Sequence, residues 1–254
     1  MLFERINRPN PDWGLVSMIF IETITACNLR CSYCPNSIHE RSLAKNIKRM
    51  ETKLFCKIID ELAYLGWKGR IQPHHCGEPL LDDRIADLIA YAKKKIPEIQ
   101  VEFFTNGELL SLDSYKRLIK AGVSKFFVTQ HLPVQSKGVL EILEHRSKLG
   151  SGNIEFKYDR LHVISNWGGE VKVYQVNRKT LCDWPMHNIG IDYAGNVLMC
   201  CWDYSNKVKI GNMNKQKLID IWNKPSYRKL RNEIQSGVFK LDICKKCAYD
   251  NQQH

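Results

Sequence analysis

Along the chain, short runs of β-branched and aromatic residues alternate with longer stretches whose apolar positions recur every three or four residues. SMIFIETI (17–24) predicts a strand, and METKLFCKIIDELAYLG (50–66) predicts an amphipathic helix ending at Gly66. GRIQPHH (69–75) predicts a second strand, and LDDRIADLIAYAKKKI (81–96) a helix that Pro97 stops. VEFFT (101–105) is a third strand, followed by the helix SLDSYKRLIKAG (111–122), with Ser111 at its N-cap and Gly122 closing it. KFFVT (125–129) and IEFKY (154–158) continue the series, with a helix around 136–148 between them. Repeated β-α units of this length imply an α/β fold whose parallel strands are joined by right-handed crossovers, an open or closed barrel.

The periodicity changes after about residue 165. SNWGGEV is turn-rich, NIGIDYAGNVLMC reads as a hairpin turning at Ala194, Gly195 and Asn196, and KLIDIWN with YRKLRNEIQSG reads as two short helices. DICKKCAYDN closes the chain as a cysteine knuckle and a tail. A boundary is therefore expected at 165/166, dividing the chain into 1–165 and 166–254.

Composition adds a compartment. With 254 residues, 44% hydrophobic and 26% charged, the chain can bury the core of one large α/β domain, or of a domain with an appendage. No apolar h-region opens it, and no apolar run approaches the roughly 18 residues of a membrane span, so a cytoplasmic protein is expected, with no membrane partner. Thiols stay reduced there, and ten cysteines argue for metal or cluster ligation over disulfides. Net charge is +11, but the lysines are scattered over predicted helices (Lys93 to Lys95, Lys116, Lys120, Lys215, Lys217). Nucleic acid is not the expected partner; an acidic protein or an anionic substrate suits that charge as well.

The polar and cysteine-bearing loops fall after the strands: ACNLRCSYC after the first, HHCGEP after the second, TNGE after the third and TQH after the fourth. In α/β barrels that rim carries the active site. Cys27, Cys31 and Cys34 suit zinc or iron–sulfur as thiolates. A zinc site would need His39 or a distant cysteine as fourth ligand, whereas a cubane cluster can keep its fourth iron open. One of His74 and His75 should face the cavity, as should His131. Cys56 reads as a buried core thiol.

Cys27-x3-Cys31-x2-Cys34, with Tyr33 before the last cysteine and Gly77-Glu78-Pro79 after the second strand, resembles the signature of radical S-adenosylmethionine (SAM) enzymes. The resemblance implies that three thiolates hold a [4Fe-4S] cluster whose open iron binds SAM. It implies further that Gly77, Glu78, Pro79, Asn106, Gln130 and Tyr33 contact SAM, and that one electron from a flavodoxin or ferredoxin-type donor yields a 5′-deoxyadenosyl radical. Cys182, Cys200, Cys244 and Cys247 resemble the ligands of the twitch extension, a shortened SPASM domain with one auxiliary [4Fe-4S] cluster. The expected fold is then a partial (β/α)6 TIM-like barrel with a small C-terminal cluster-binding domain of β-hairpin and short helices.

Cys34-Pro-Asn-Ser37, Gly77-Glu-Pro-Leu-Leu81, Thr105-Asn-Gly107, Val128-Thr-Gln-His131 and Ser165-Asn-x-Gly-Gly169 are similar to radical SAM dehydrogenases that oxidise an aminocyclitol hydroxyl to a ketone. That likeness implies a small polar substrate, such as a sugar or aminocyclitol, contacted by Trp167, His74 and His131. Catalytic candidates are Cys201, Cys76 and His75. Before Gly168-Gly169 the likeness implies a basic residue, where this chain has Trp167, so the substrate pocket is expected to differ. Two other radical chemistries stay open: epimerisation with a cysteine hydrogen donor, and modification of a ribosomal peptide. The first predicted strand begins at Ser17, which leaves little room before it for a leader-peptide-binding domain. A zinc-stabilised binding module is the reading without catalysis.

Overall fold

The structure is a computed structural model that describes residues 11–146, 155–160, 165–172 and 181–247. Five strands and four helices alternate first: β1 (Met18–Ile21), α1 (Thr52–Tyr64), β2 (Arg70–Gln72), α2 (Ile85–Lys95), β3 (Gln100–Thr105), α3 (Leu112–Ala121), β4 (Lys125–Gln130), α4 (Lys137–His145) and β5 (Glu155–Arg160). The ends of the predicted 136–148 helix and the start of the 154–158 strand lie outside the described residues. α5 (Trp184–His187), β6 (Asn188–Ile191), β7 (Asn196–Leu198), β8 (Lys209–Asn212), α6 (Leu218–Trp222), α7 (Pro225–Gln235) and α8 (Asp242–Lys246) follow.

All eight strands form one sheet in the order β5-β4-β3-β2-β1-β6-β7-β8. The first six in that order are parallel neighbours, and β7 and β8 add antiparallel. The sheet does not close, so the barrel is partial. Its sixth parallel strand is β6, which pairs with β1 from Met18↔Asn188 to Ile21↔Ile191. The predicted hairpin is therefore present, and its first strand also completes the parallel array.

Element ends follow local chemistry. Pro73 cannot donate to a ladder, and β2 stops at Gln72 instead of running to residue 75. α2 starts at Ile85, after a tight turn at Pro79–Leu81, because Asp82 Oδ1 accepts from Arg84 N and holds the entry. Ser111 and Ser114 cap α3 reciprocally, as the sequence implied.

Strand alternation sorts the side chains. On β4, Phe126 and Val128 are buried in the helix-facing core, while Phe127 and Thr129 line cavities on the other face. One buried cluster runs from Phe126 through Ile19 and Ile58 to Trp222, Tyr227 and Ile234, with Trp13 edge-on to Trp222 at 6.0 Å. Each fully buried large aliphatic contributes about 1.5–3 kcal/mol. Cys56, expected in that core, is only half-buried on α1. No helix among the described residues is long and apolar enough to cross a membrane.

Candidate active site

β1 delivers the chain to the cysteine loop, whose turns are tight: Cys34 N donates to Cys31 O at 2.9 Å and Ser37 Oγ to Cys34 O at 2.7 Å. Cys27, Cys31 and Cys34 all line a cavity of about 260 Å3 at the C-terminal rim of the sheet. Burial pushes the Cys27 thiol up to about 11, with Glu78, Cys34 and Cys31 adding to the rise, and burial raises Cys34 as well. Thiols that disfavour one another's ionisation in a dry site are the donor set a cationic cluster relieves.

The GEP turn lies directly beneath. Glu78 N donates to Ala26 O at 2.7 Å, and a Cβ on Gly77 would overlap the carbonyl oxygen of Ile24, so only glycine lets the two loops approach. The Glu78 carboxylate accepts from Thr105 Oγ1 at 2.8 Å, Asn106 N at 2.9 Å and Leu80 N at 3.1 Å. Burial still pushes Glu78 up to about 7 against those donors. Asn106 Nδ2 donates to Asn28 Oδ1 at 2.8 Å, tying the third loop to the first. Across the mouth, the Tyr33 hydroxyl and His131 Nδ1 share a hydrogen bond of 2.6 Å.

His74, not His75, faces this cavity. Its ring stacks on Phe104 at 5.0 Å, burial pushes it down to about 3, and its buried Nδ1 has no hydrogen-bond partner. His75 stacks on Phe20 at 4.8 Å, and its Nε2 donates to Cys201 O at 2.7 Å. Cys76 lines the cavity, and burial holds it as a neutral thiol. Cys201 lies instead among the C-terminal cysteines. Gln130 has the helix-facing parity of Phe126 and Val128; its Nε2 donates to Leu132 O at 2.9 Å and its Oε1 accepts from Tyr158 O–H at 3.0 Å. It does not line the cavity, and Pro79 begins the turn beside it. Trp167 closes the opposite side with Trp202.

Cys182, Cys200, Cys244 and Cys247 line a second cavity of about 960 Å3. Cys244 is pushed up to about 12 by burial and then by Cys200, Cys182 and Cys247, which places all four thiols in one electrostatic neighbourhood. Trp202 N donates to Cys200 Sγ at 3.4 Å. Sulfurs on a tetrahedral zinc lie about 3.8 Å apart, given Zn–S bonds of about 2.3 Å. Among the described residues, neither cysteine set brings three of its sulfurs all within 4.8 Å of one another. The one compact ligand-type group among the described residues is Glu22, His75 and Cys76, and the Arg41 guanidinium already bonds Glu22 there. His39, the alternative zinc ligand, pairs with Glu170 at 2.9 Å.

Sequence reasoning assigned no role to Trp202, Glu22 or Arg41, and met Asn36 only within Cys34-Pro-Asn-Ser37. Trp202 and Phe104 line both cavities, and Asn36 Nδ2 donates to Cys76 O at 3.0 Å. Burial marks Asn36 and Glu22, and the guanidinium of the partly buried Arg41 bonds Glu22.

Residues 21–147 match the Radical SAM superfamily, and residues 182–248 match SPASM, an iron–sulfur cluster-binding domain. The chain belongs to the radical SAM superfamily, with SAM and a [4Fe-4S] cluster as its cofactors and a further iron–sulfur cluster in the C-terminal region. It is 33% identical over 238 residues to the S-adenosyl-L-methionine-dependent 2-deoxy-scyllo-inosamine dehydrogenase of Niallia circulans, covering 92% of this chain and 93% of the relative. The solved structure of BtrN in complex with AdoMet and 2-DOIA superposes with a TM-score of 0.82 at 30% identity, over 91% of this chain and 92% of that one. A shorter likeness, 32% over 111 residues, links 43% of this chain to 33% of a Clostridium perfringens (strain SM101 / Type A) GTP 3',8-cyclase.

Proposed function

We propose that this enzyme oxidises a ring hydroxyl of a small cyclitol or sugar to a ketone. The observation that carries the reading is the likeness to a dehydrogenase over 92% of this chain, beside matches to both the radical SAM and the SPASM families. The cavity supports the substrate class: in a chain of net charge +11, no lysine or arginine lines it among the described residues. An anionic substrate would find no cation there, which counts against that early alternative; an uncharged or amine-bearing ring suits it.

In this reading Cys27, Cys31 and Cys34 hold the SAM cluster, and Cys182, Cys200, Cys244 and Cys247 hold the auxiliary one. Bound there, SAM and its cluster supply a radical that takes a hydrogen atom, and the auxiliary cluster supplies an acceptor for one electron. Gly77, Glu78 and Pro79, with Asn106 and Tyr33, receive SAM; Gln130 supports the 131–133 loop from behind. His74 and His131 flank the substrate, and the hydroxyl proton passes to one of these two imidazoles. His75 positions the peptide after Cys200 through Cys201 O. The radical-generating part is 1–165 and the cluster-binding part 166–254. A small acidic carrier of flavodoxin or ferredoxin type in the reducing cytoplasm supplies electrons.

Anaerobic reconstitution should give about eight irons per chain, four per cluster. With SAM, dithionite and 2-deoxy-scyllo-inosamine, a ketone trapped by a carbonyl reagent should form, with 5′-deoxyadenosine in matching amount. The buried Cys76 thiol favours a second reading, epimerisation. Solvent deuterium entering a product of unchanged formula, with no ketone, would replace the first reading by the second.

A further inference from the structure

Over the substrate side of the cavity stands a strained turn. Trp167 has φ 50°, and Gly168 and Gly169 follow at 63° and 93°, so three successive residues are left-handed. A bulky side chain keeps that conformation only where its surroundings enforce it. Trp167 N donates to Ser165 Oγ at 3.1 Å, and Asn166 Nδ2 donates to the Lys246 carbonyl at the end of α8. The backbone at Gly168 presses so closely on α8 that a Cβ there would overlap Ile243. Glu170, leaving the turn, accepts from Lys207 Nζ at 2.8 Å, His39 Nε2 at 2.9 Å and Ser205 Oγ at 3.0 Å.

Both ends of the turn are thus fastened, one to α8 and the other to His39 after the first cysteine loop and to Ser205 and Lys207 ahead of β8. The Trp167 ring lines the SAM cavity edge-on to Trp202, at 4.8 Å and 86°, and Trp202 N in turn bonds Cys200 Sγ. α8 carries Cys244, with Cys247 immediately after it.

We propose that Trp167 is a positioning residue for the substrate, clamped to α8 by this turn, so that the auxiliary cysteine site and the substrate wall of the radical cavity move as one unit. The proposal rests on the dehydrogenase reading for the reaction, and on the turn alone for the clamp. An indole face holds the C–H face of a ring, or an amine on it, without adding charge. If the wall moves, the target C–H leaves the radical's reach and SAM is spent without product.

In the reconstituted enzyme with 2-deoxy-scyllo-inosamine as probe, Trp167→Phe should keep KM within about threefold, while Trp167→Ala should raise KM about tenfold or more and lift 5′-deoxyadenosine per ketone from about one to several. An unchanged KM and ratio in Trp167→Ala would overturn the substrate role. The clamp is read without turnover, by acrylamide quenching of the Trp167 emission, isolated by subtracting the matching Trp167→Phe protein. Gly168→Ala, at unchanged iron content, should raise that quenching about threefold, and Ile243→Ala in the same chain should bring it back in part, the left-handed φ at residue 168 keeping the rest. Unaltered quenching in Gly168→Ala would sink the clamp. Absence of ketone from the parent enzyme would instead fail the dehydrogenase reading and leave the quenching result standing.

Discussion

Glu78 is pulled two ways. Burial drives its carboxyl up to about 7, while Thr105, Asn106 and Leu80 donate to the ionised form. If Glu78 receives the SAM ammonium group, only the ionised acid gains from binding, so binding lowers its pKa. The sign follows: affinity is full above about pH 7 and falls as pH drops below it, by at most about tenfold per unit. Equilibrium dialysis of SAM between about pH 5.5 and 8.5 should show that slope, and Glu78→Gln should flatten it and weaken binding about tenfold or more. A slope that survives Glu78→Gln would assign it to another group. Gly77 and Glu78 were legible in the sequence only through the likeness of Gly77-Glu78-Pro79 to a family motif; the close approach that admits no Cβ at Gly77 is seen in the fold alone. The choice between His74 and His75 was not legible, since the strand ends at Gln72 and its alternation no longer governs them. Gln130 lies outside the cavity lining for the opposite reason: alternation from Phe126 through Val128 points it at the helices.

Among elements, β1 to β5 and their helices were legible because hydrophobic period and caps are local signals. β6 was read only as half of a hairpin, since its Ala194-Gly195-Asn196 turn is local while its parallel partner β1 lies some 170 residues earlier. Phe20 shows what joins them. Its ring lies over Gly190 of β6, stacks on His75 at 4.8 Å and meets Trp184 at 5.8 Å. Phe20→Ala should therefore cost about 3–5 kcal/mol, read as a lower urea midpoint in anaerobic denaturation followed by circular dichroism. A loss below about 1 kcal/mol would mean that the seam between β1 and β6 does not depend on this ring.

At the scale of the whole molecule, the net charge of +11 and the composition of the cavity point in different directions, and the difference decides which partner each serves. Exposed lysines act through solvent and attract an acidic carrier over about a Debye length, roughly 8 Å at physiological salt. The cavity, whose lining carries Glu78 and neutral polar groups but no lysine or arginine among the described residues, offers an anion nothing to offset its desolvation. Sequence charge alone could not separate these, because counting cations says nothing of where they point. Two responses to salt are therefore expected in one enzyme. Reduction by a flavodoxin-type carrier should slow steeply as ionic strength rises from about 0.05 to 0.5 M, as steered association does. KM for a neutral cyclitol should stay within about twofold over the same range, because screening has no charge pair to weaken. Phosphorylation of that cyclitol should then raise KM about a hundredfold or more, the cost of an unpaired buried anion. A phosphorylated ring turned over as well as its parent would mean that a cation reaches the substrate, and the uncharged substrate class would have to be given up.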